Sequence, residues 1–176
     1  MKALQPRPAV SGWTPRLLTA LVLLIWGIAY VRLFVEHTPR IPLLFNWTPS
    51  LPYHVAWLAG PRSVYERGDL VVFAFDGDAR RDYPGLDGQP FFKRVRGIAG
   101  DRITVLGRQV FVNNVLVGTA KTYTFDGRPL EVIAPGTIPE GSYFVEGTAP
   151  DSFDSRYHES GLVRGTQIIG EVWPWF

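Results

Sequence analysis

The chain of 176 residues contains no cysteine, only three histidines and only three lysines. Without cysteine neither a disulfide framework nor a thiolate metal site can form, so the fold depends on its core in any redox compartment. No two histidines have the spacing that places a metal-binding pair on one helix face. We therefore expect no metal site, and nothing in the sequence indicates a cofactor.

The formal net charge of +2 is unevenly distributed along the chain. Residues 1–35 contain four basic residues and no acid, whereas residues 36–176 contain 14 basic and 16 acidic residues. In this second part the arginines are interspersed with acids and form no basic stretch. Nucleic-acid binding is therefore not expected.

A long apolar run lies near the N-terminus. Residues 17–35 are apolar or nearly so, apart from Arg32. As a helix this run just spans a hydrocarbon core of about 30 Å, and Arg32 can extend its charge to the interface. The preceding basic residues predict a cytoplasmic segment over 1–16, a membrane anchor over 17–35 and an extracytoplasmic domain over 36–176.

The alternative for this run is a signal peptide that is cleaved after Gly27-Ile28-Ala29. The apolar run continues beyond these small residues. That continuation favours the uncleaved anchor.

The second part of the chain predicts an all-β domain. Short runs of β-branched and aromatic residues alternate with Gly, Pro, Asn and Asp, and Gly107-Arg108 and Asn113-Asn114 are candidate hairpin turns. We expect a mainly β fold, a small barrel or folded sheet, after one N-terminal transmembrane helix, with residues 76–89 as a surface loop. The predicted strands are 70–75, 91–96, 102–106, 109–113, 115–118, 130–133, 142–146 and 166–173.

Lys93 is the most unusual residue of these strands. Strand alternation places it on one face with Phe91 and Val95. Desolvation there disfavours the ammonium form, so we expect a lowered pKa and an amine that can act as a base. The alternative is a strand-end lysine whose head reaches solvent.

Ser50 is the candidate nucleophile. The flanking prolines at 49 and 52 restrict its backbone, and Thr48 can present a hydroxyl on the same side. Together they offer an attacking oxygen and two donors for an oxyanion. Pro-rich loops of this kind are also common in linkers, so the assignment requires a base.

Histidine is the usual base for a catalytic serine. His54 lies only four residues beyond Ser50, and His37 lies at the end of the predicted anchor. His158 follows Asp154 closely and is a possible member of a triad. From the residues alone, a histidine triad and a Ser50/Lys93 dyad both remain open.

A third polar segment covers residues 151–157, Asp-Ser-Phe-Asp-Ser-Arg-Tyr. Asp154 and Arg156 alternate onto one side of an extended segment and can form an ion pair. The hydroxyls of Ser152 and Ser155 can hold an amine through hydrogen bonds. The alternative is a polar surface turn whose ion pair contributes little.

Taken together, these segments resemble the type I signal peptidase family of Ser/Lys-dyad membrane proteases. The short chain, the box at 46–52 and the segment 151–157 resemble most closely the TraF-type conjugative-transfer signal peptidases. The resemblance covers the predicted anchor and most of residues 46–173. It rests on four boxes in order: the serine box, Arg-Gly-Asp-Leu-Val at 67–71, Lys-Arg-Val-X-Gly-X-X-Gly-Asp at 93–101, and residues 152–157.

The resemblance implies a role for each matching residue. Ser50 is implied to be the nucleophile and Lys93 the general base, with the Ser50 amide and the Thr48 hydroxyl as the oxyanion hole. Ser152 is implied to orient the lysine amine, and Asp154 and Arg156 to brace the site. The implied enzyme is a single-pass protease of the bacterial inner membrane with a periplasmic catalytic domain.

The implied substrates are exported precursors that are cut after small residues, with prepilin in conjugation as the leading candidate. The implied partners are membrane lipid and components of the conjugative secretion apparatus. A housekeeping signal peptidase of broad range and a noncatalytic scaffold of a secretion apparatus are the alternatives. The sequence departs from the family pattern at Ala99, at residues 147–150 and at residues 158–161.

Overall fold

The computed structural model of the chain describes residues 13–34, 42–45, 51–52 and 54–175. The chain separates into two units, residues 1–37 and residues 38–176.

The first unit contains helix α1, Trp13–Phe34. Pro15 is tolerated there because it lies in the first turn, where backbone N–H groups have no helical partner. The apolar side chains from 17 to 31 are exposed, apart from the half-buried Ala29. Within the described ranges, no helix is both long enough and apolar enough to cross a membrane. The transmembrane segment expected over 17–35 therefore stays a prediction.

The second unit is built from antiparallel strands, and those in its described residues form two sheets. The smaller sheet has the spatial order β7 (Val115–Thr119), β6 (Gln109–Val112), β5 (Arg102–Leu106) and β8 (Gly136–Thr137). The larger has the order β1 (Leu43–Phe45), β2 (Val55–Leu58), β11 (Ile168–Pro174), β3 (Leu70–Ala74), β4 (Pro90–Gly97), β9 (Ser142–Glu146) and β10 (Val163–Arg164).

The mainly β prediction is confirmed, and both two-residue turns form as expected. Asn113 and Asn114 adopt positive φ values of 50° and 64°, as this tight turn requires, and Gly107 does so at 59°. The predicted loop 76–89 contains two short 3-10 helices, Asp78–Arg81 and Pro84–Leu86. A third, Gly165–Gln167, precedes β11.

The strand predicted over 130–133 is wrong. These residues make only an isolated bridge, between Val132 and Tyr157. Pro129 has no N–H group to continue a ladder, and the backbone of Leu130 instead closes a local turn by donating to Thr122. The short strands β1 and β2 were not predicted because the prolines and polar residues around them weaken the alternation.

Strand β3 is buried on both faces, which explains its continuous apolar sequence. Val71 and Phe73 pack into the main core, while Leu70 and Val72 face a second cluster that includes Leu51. Because β4 pairs with this fully buried strand, the face of β4 that aligns with Val71 and Phe73 is also buried.

Gly97 ends β4 at a point where a side chain has no room. A Cβ atom there would lie 2.5 Å from Ile138 Cδ1, 3.1 Å from Phe144 Cβ and 3.2 Å from Val112 Cγ1. All three neighbours belong to one buried apolar cluster. The glycine at this position is therefore required by close packing of β4 on that cluster.

We expect Gly97→Ala to lower the free energy of unfolding by about 1–3 kcal/mol, because the cluster must shift to admit a methyl group. Gly136→Ala is the matched control, since a Cβ at Gly136 meets nothing within 4 Å. Denaturant unfolding of both variants checks this. Equal stabilities for the two variants would contradict the packing argument.

Candidate active site

Lys93 lies in the interior of the larger sheet. It pairs with Val71 of β3, its side chain shares a face with Phe91 and Val95, and the residue is only 4% exposed. Its Nζ lies 5.7 Å from the centre of the Phe91 ring. The burial predicted from alternation is confirmed, and the alternative of a lysine head in solvent is wrong.

Burial lowers the pKa of Lys93 from 10.5 to about 8. Desolvation is the largest cause, because an ammonium loses its hydration between the strands. The nearby carboxylate of Asp154 acts in the opposite direction, and the guanidinium of Arg156 lowers the pKa further. Roughly a tenth of the protein molecules therefore carry a neutral amine here at pH 7.

Ser152 fixes the position of this amine. Lys93 Nζ donates a hydrogen bond to Ser152 Oγ at 2.7 Å, and both residues are buried. The backbone N–H of Ser152 donates to the carbonyl of Ala149 at 3.0 Å, which closes the loop that carries the hydroxyl. The amine is thus held by a partner that itself has a fixed backbone.

Asp154 and Arg156 form a buried ion pair directly beneath this loop. Arg156 Nε and Nη2 each donate to one carboxylate oxygen of Asp154 at 2.8 Å, and the residues are 0% and 2% exposed. Gly147 N–H also donates to Asp154, and Arg156 donates to the carbonyl of Ser152 at 2.9 Å. The surface-turn alternative for this segment is therefore wrong.

The charges of this pair are mutually stabilised. Burial acts to lower the pKa of Arg156, but its hydrogen bond and charge interaction with Asp154 outweigh burial and raise that pKa. Gly118 of the smaller sheet lies against the guanidinium, because a Cβ there would be 2.9 Å from Arg156 Nη1. The smaller sheet thus contacts the ion pair that supports Ser152.

Ser50 and Thr48 lie outside the described residues. Leu51, the next described residue, is buried against the second cluster of the larger sheet. Their expected roles as nucleophile and oxyanion donors therefore stay predictions.

The described contacts do not support a histidine base. His54 and His158 are both exposed, and His37 lies outside the described residues. Both carboxylate oxygens of Asp154 accept hydrogen bonds from Arg156, and no hydrogen bond or ion pair joins that carboxylate to His158 among the described contacts. The residues that the structure describes contain no group of three or more His, Asp and Glu side chains that could hold a metal ion.

One clamp that joins two of the sequence boxes was not predicted. Arg67 donates two hydrogen bonds to Asp101, one of them from Nε at 2.9 Å, and Asn113 Nδ2 donates a third at 2.7 Å. These bonds, led by Arg67, together with the Ile98 N–H, lower the pKa of Asp101 to about 2. The clamp fixes the turn that follows β4. No local pattern indicates a pair separated by 34 residues.

Glu146 is a second buried acid that the sequence reasoning missed. Burial raises its pKa, although Arg96 Nε donates a hydrogen bond to it at 2.6 Å and opposes that effect. The position of Glu146 at the end of the apolar strand β9 is the sequence signal that indicates its burial.

The described site is thus a desolvated amine, held by a serine hydroxyl and supported by a buried ion pair. Such an amine can accept a proton from a hydroxyl group that approaches it near neutral pH. It supplies a base without histidine.

Comparison with known proteins gives consistent matches. The sequence profile of the family described as "Signal peptidase, peptidase S26" matches residues 12–176. Signal peptidase I of Bacillus licheniformis is 25% identical over 181 residues, which cover 96% of this chain and 89% of that protein. Signal peptidase I of Bacillus caldolyticus is 30% identical over 169 residues, which cover 84% and 85%. The crystal structure of a signal peptidase I from Enterococcus faecalis V583 is 23% identical and covers 62% of this chain and 97% of that one, with a TM-score of 0.38.

Proposed function

Because the chain belongs to the signal peptidase, peptidase S26 family and is a serine protease of that type, we propose that it removes leader peptides from exported precursor proteins through a Ser50/Lys93 dyad. The observation that carries the proposal is the buried amine of Lys93, which is hydrogen-bonded to Ser152 and has a pKa of about 8. The family membership favours this enzyme over a noncatalytic scaffold.

In the proposed reaction the Ser50 hydroxyl gives its proton to the neutral amine of Lys93 as its oxygen attacks the carbonyl of the scissile bond. The Ser50 N–H and the Thr48 hydroxyl donate hydrogen bonds to the oxyanion. The Lys93 ammonium then protonates the leaving amine, and the acyl-enzyme forms. In the second half-reaction Lys93 accepts a proton from a water molecule as the water oxygen attacks the acyl carbonyl, and it then returns that proton to the Ser50 oxygen, which frees the leader peptide as a carboxylic acid.

The surroundings of Lys93 suit both protonation states. Desolvation leaves the amine neutral in about half of the resting enzyme molecules near pH 8, while Asp154 favours the ammonium that forms during each half-reaction. Ser152 stays hydrogen-bonded and prevents the amine from turning away. Asp154 and Arg156 are thus positioning residues that act through Lys93 and Ser152.

The proposed substrate is a prepilin of a conjugative transfer system. The support is the resemblance of residues 46–52 and 151–157 to the conjugative-transfer members of the family. After cleavage, water gives a linear product, whereas attack by an amine of the substrate gives a cyclic one. The second candidate function is that of a housekeeping signal peptidase with a broad range of precursors, because the relatives named above are signal peptidases I.

We propose that α1 anchors the enzyme in the bacterial inner membrane, with the β domain on the periplasmic side. The support is the exposed apolar surface of α1 and the basic residues before it. Trp57 and Trp173 are directly opposite each other on β2 and β11, and with Trp175 they form a second exposed aromatic surface suited to an interface. Precursor protein and lipid are thus the proposed partners.

The test is cleavage of a leader-bearing precursor by the full chain purified in detergent. Mass spectrometry is expected to show a cut after a small residue with wild type, and no cut with Ser50→Ala. Ser63→Ala is the matched control, because Ser63 is an exposed serine outside the site. Normal cleavage by Ser50→Ala would refute the dyad. Recovery of the chain in the soluble fraction after alkaline extraction of membranes would refute the anchor.

A genetic test separates the two substrate classes. If the enzyme is specific for prepilin, its expression does not rescue cells depleted of their essential signal peptidase, whereas it does restore pilin processing in a conjugation-deficient strain. Rescue of the depleted cells would instead support the housekeeping function.

A further inference from the structure

A cleft of about 720 Å³ lies beside the site in the second unit. One wall is formed by the 3-10 segment 78–86, and the other by a hairpin over residues 121–130. Its apolar floor includes Phe91, Phe153 and Leu130. We refer to this feature as the hairpin cleft.

The hairpin cleft is continuous with the residues that hold the lysine. Phe91 lines it and lies 5.7 Å from Lys93 Nζ, measured to the ring centre. Asp151 and Phe153 also line it, and they flank Ser152, the hydrogen-bond partner of Lys93. A peptide chain that passes Phe91 on this side therefore enters the cleft.

The walls of the cleft are tied together by polar contacts. The Tyr83 hydroxyl lies 2.7 Å from a carboxylate oxygen of Asp126, Arg128 pairs with Asp82 at 3.2 Å, and the Arg128 guanidinium lies 4.7 Å from the Tyr83 ring centre. At the base of the hairpin, the Arg108 side chain donates hydrogen bonds to the backbone carbonyls of Ala120 and Leu130, which lie on opposite sides of the hairpin. The cleft is thus preformed, which reduces the entropy lost when a ligand binds.

Two aromatic side chains of the hairpin line the cleft and remain exposed. Phe125 has a relative exposure of 111%, and Tyr123 is also exposed. A fully exposed phenylalanine contributes nothing to the core of this domain. Together with the apolar floor, these rings suit a partner that brings an apolar side chain.

The charged groups of the cleft leave an excess of negative charge. Asp82 and Asp126 are paired with Arg128, whereas Asp151 and Glu159 make no ion pair within the described residues. One carboxylate oxygen of Glu159 is buried and has no hydrogen-bond partner there. Lys121 is the one further cation among the lining residues. The cleft therefore favours a cationic ligand.

The chemistry of the dyad indicates which part of a precursor reaches this cleft. The base that takes the serine proton must deliver it to the leaving amine, so it lies on the leaving-group side of the scissile bond. The hairpin cleft begins at Phe91, whose ring centre lies 5.7 Å from that base. Its occupant is therefore the segment that follows the cut.

We propose that the hairpin cleft binds the first residues after the cleavage site and selects precursors with an apolar or aromatic side chain and a basic residue there. This inference rests on the proposed function, since it takes the leaving segment of a cleaved precursor as the ligand. It assigns the 121–130 hairpin and the pair Asp151 and Glu159 to substrate selection.

The first test measures binding without catalysis. Three peptides are compared, each with a free N-terminus and a fluorescent label at its C-terminal end. Among their first residues, the Phe/Lys peptide carries Phe and Lys, the Phe/Glu peptide carries Phe and Glu, and the Ser/Gly peptide carries Ser and Gly. Anisotropy with the full chain in detergent is expected to show about tenfold tighter binding of the Phe/Lys peptide than of either other peptide at low salt. Equal affinities would overturn the proposal.

Variants assign that difference to the cleft. Asp151→Asn/Glu159→Gln is expected to weaken Phe/Lys binding about fivefold and to bring the affinities of the Phe/Lys and Phe/Glu peptides close together, while Glu140→Gln, an exposed acid elsewhere, changes nothing. Tyr123→Ala/Phe125→Ala is expected to weaken the binding of both peptides that carry Phe. The control is Leu106→Ala, which removes an exposed apolar side chain elsewhere. Unchanged affinities in both cleft variants would overturn the assignment.

Cleavage then tests the side of the cut. Two precursors share one leader and continue with the Phe/Lys or the Ser/Gly segment, and the ratio of their kcat/KM values is expected to fall in the cleft variants. If the variants respond instead to changes before the cut, the cleft binds the leader and the proposal is wrong. If wild type binds the Phe/Lys peptide and cleaves neither precursor, the proposed function fails while the binding site stands.

Discussion

Lys93→Met is expected to lower kcat/KM for precursor cleavage by about 10³-fold or more at pH 8, because the variant has no group that accepts the proton of Ser50. Methionine is unbranched and replaces the apolar stem of lysine between Phe91 and Val95, and it lacks the amine. Lys93→Arg is expected to be similarly inactive, since its guanidinium stays protonated at this pH. The control is Arg102→Met, which removes an exposed cation on β5. Normal activity of Lys93→Met would exclude the dyad.

The same substitution is expected to stabilise the fold, which separates loss of the base from loss of structure. The pKa of Lys93 falls from 10.5 to about 8 on folding. Between pH 8 and pH 10.5 the unfolded chain therefore holds the proton of Lys93, whereas the folded chain has lost it. The wild-type free energy of unfolding is therefore reduced below pH 8 and rises as the pH increases toward 10.5. Lys93→Met is expected to gain about 1–3 kcal/mol at pH 7, after allowance for the lost Ser152 hydrogen bond.

A lower melting temperature for Lys93→Met than for wild type at pH 7 would contradict that argument. It would mean that the charged amine contributes net stability in its buried position. The pH dependence of the stability difference between the two proteins provides the control, because this difference should shrink as the pH rises from 8 to 10.5.

Asp154→Asn is expected to lower the free energy of unfolding by about 3–5 kcal/mol, because it leaves the guanidinium of Arg156 buried without its counter-charge. Arg156→Met leaves the opposite charge unpaired and should cost a similar amount. Asp154→Asn/Arg156→Met removes both charges, so the double variant is expected to be more stable than the sum of the two single effects predicts. Additive losses in denaturant unfolding would contradict a coupled pair.

Activity distinguishes a positioning role of this pair from a purely structural one. Asp154 raises the pKa of Lys93 and Arg156 lowers it. The base pKa in the pH profile of cleavage should therefore shift downward in Asp154→Asn and upward in Arg156→Met. An unchanged profile in folded variants would leave the pair with a role in stability only.

The sequence predicted those features that depend on neighbouring residues. Strand alternation indicated the burial of Lys93, the asparagine pair indicated the turn at 113–114, and the spacing of Asp154 and Arg156 indicated their ion pair. Each of these depends on residues at most a few positions apart, so one strand or loop determines it. The partnership of Lys93 with Ser152 came from the resemblance to a family, because 59 residues separate them.

Features that depend on how strands assemble were not accessible. The Arg67–Asp101 clamp, the packing of Gly97 and the walls of the hairpin cleft each combine residues from distant segments. The strand predicted at 130–133 was wrong because this segment begins at the base of a hairpin, where Leu130 N–H donates to the carbonyl of Thr122. The positions of Thr48 and Ser50 lie outside the described residues, and their roles stay predictions.

The role of Lys93 as the base is tested by the pH dependence of kcat/KM for precursor cleavage by wild type, from about pH 6 to pH 10. This profile reports the pKa of the base in the free enzyme. If the neutral amine of Lys93 is the base, the rate rises tenfold per pH unit and levels off above a pKa of about 8. A rate that levels off above about 6.5, the ordinary pKa of histidine, would contradict this account and make His158 the next candidate.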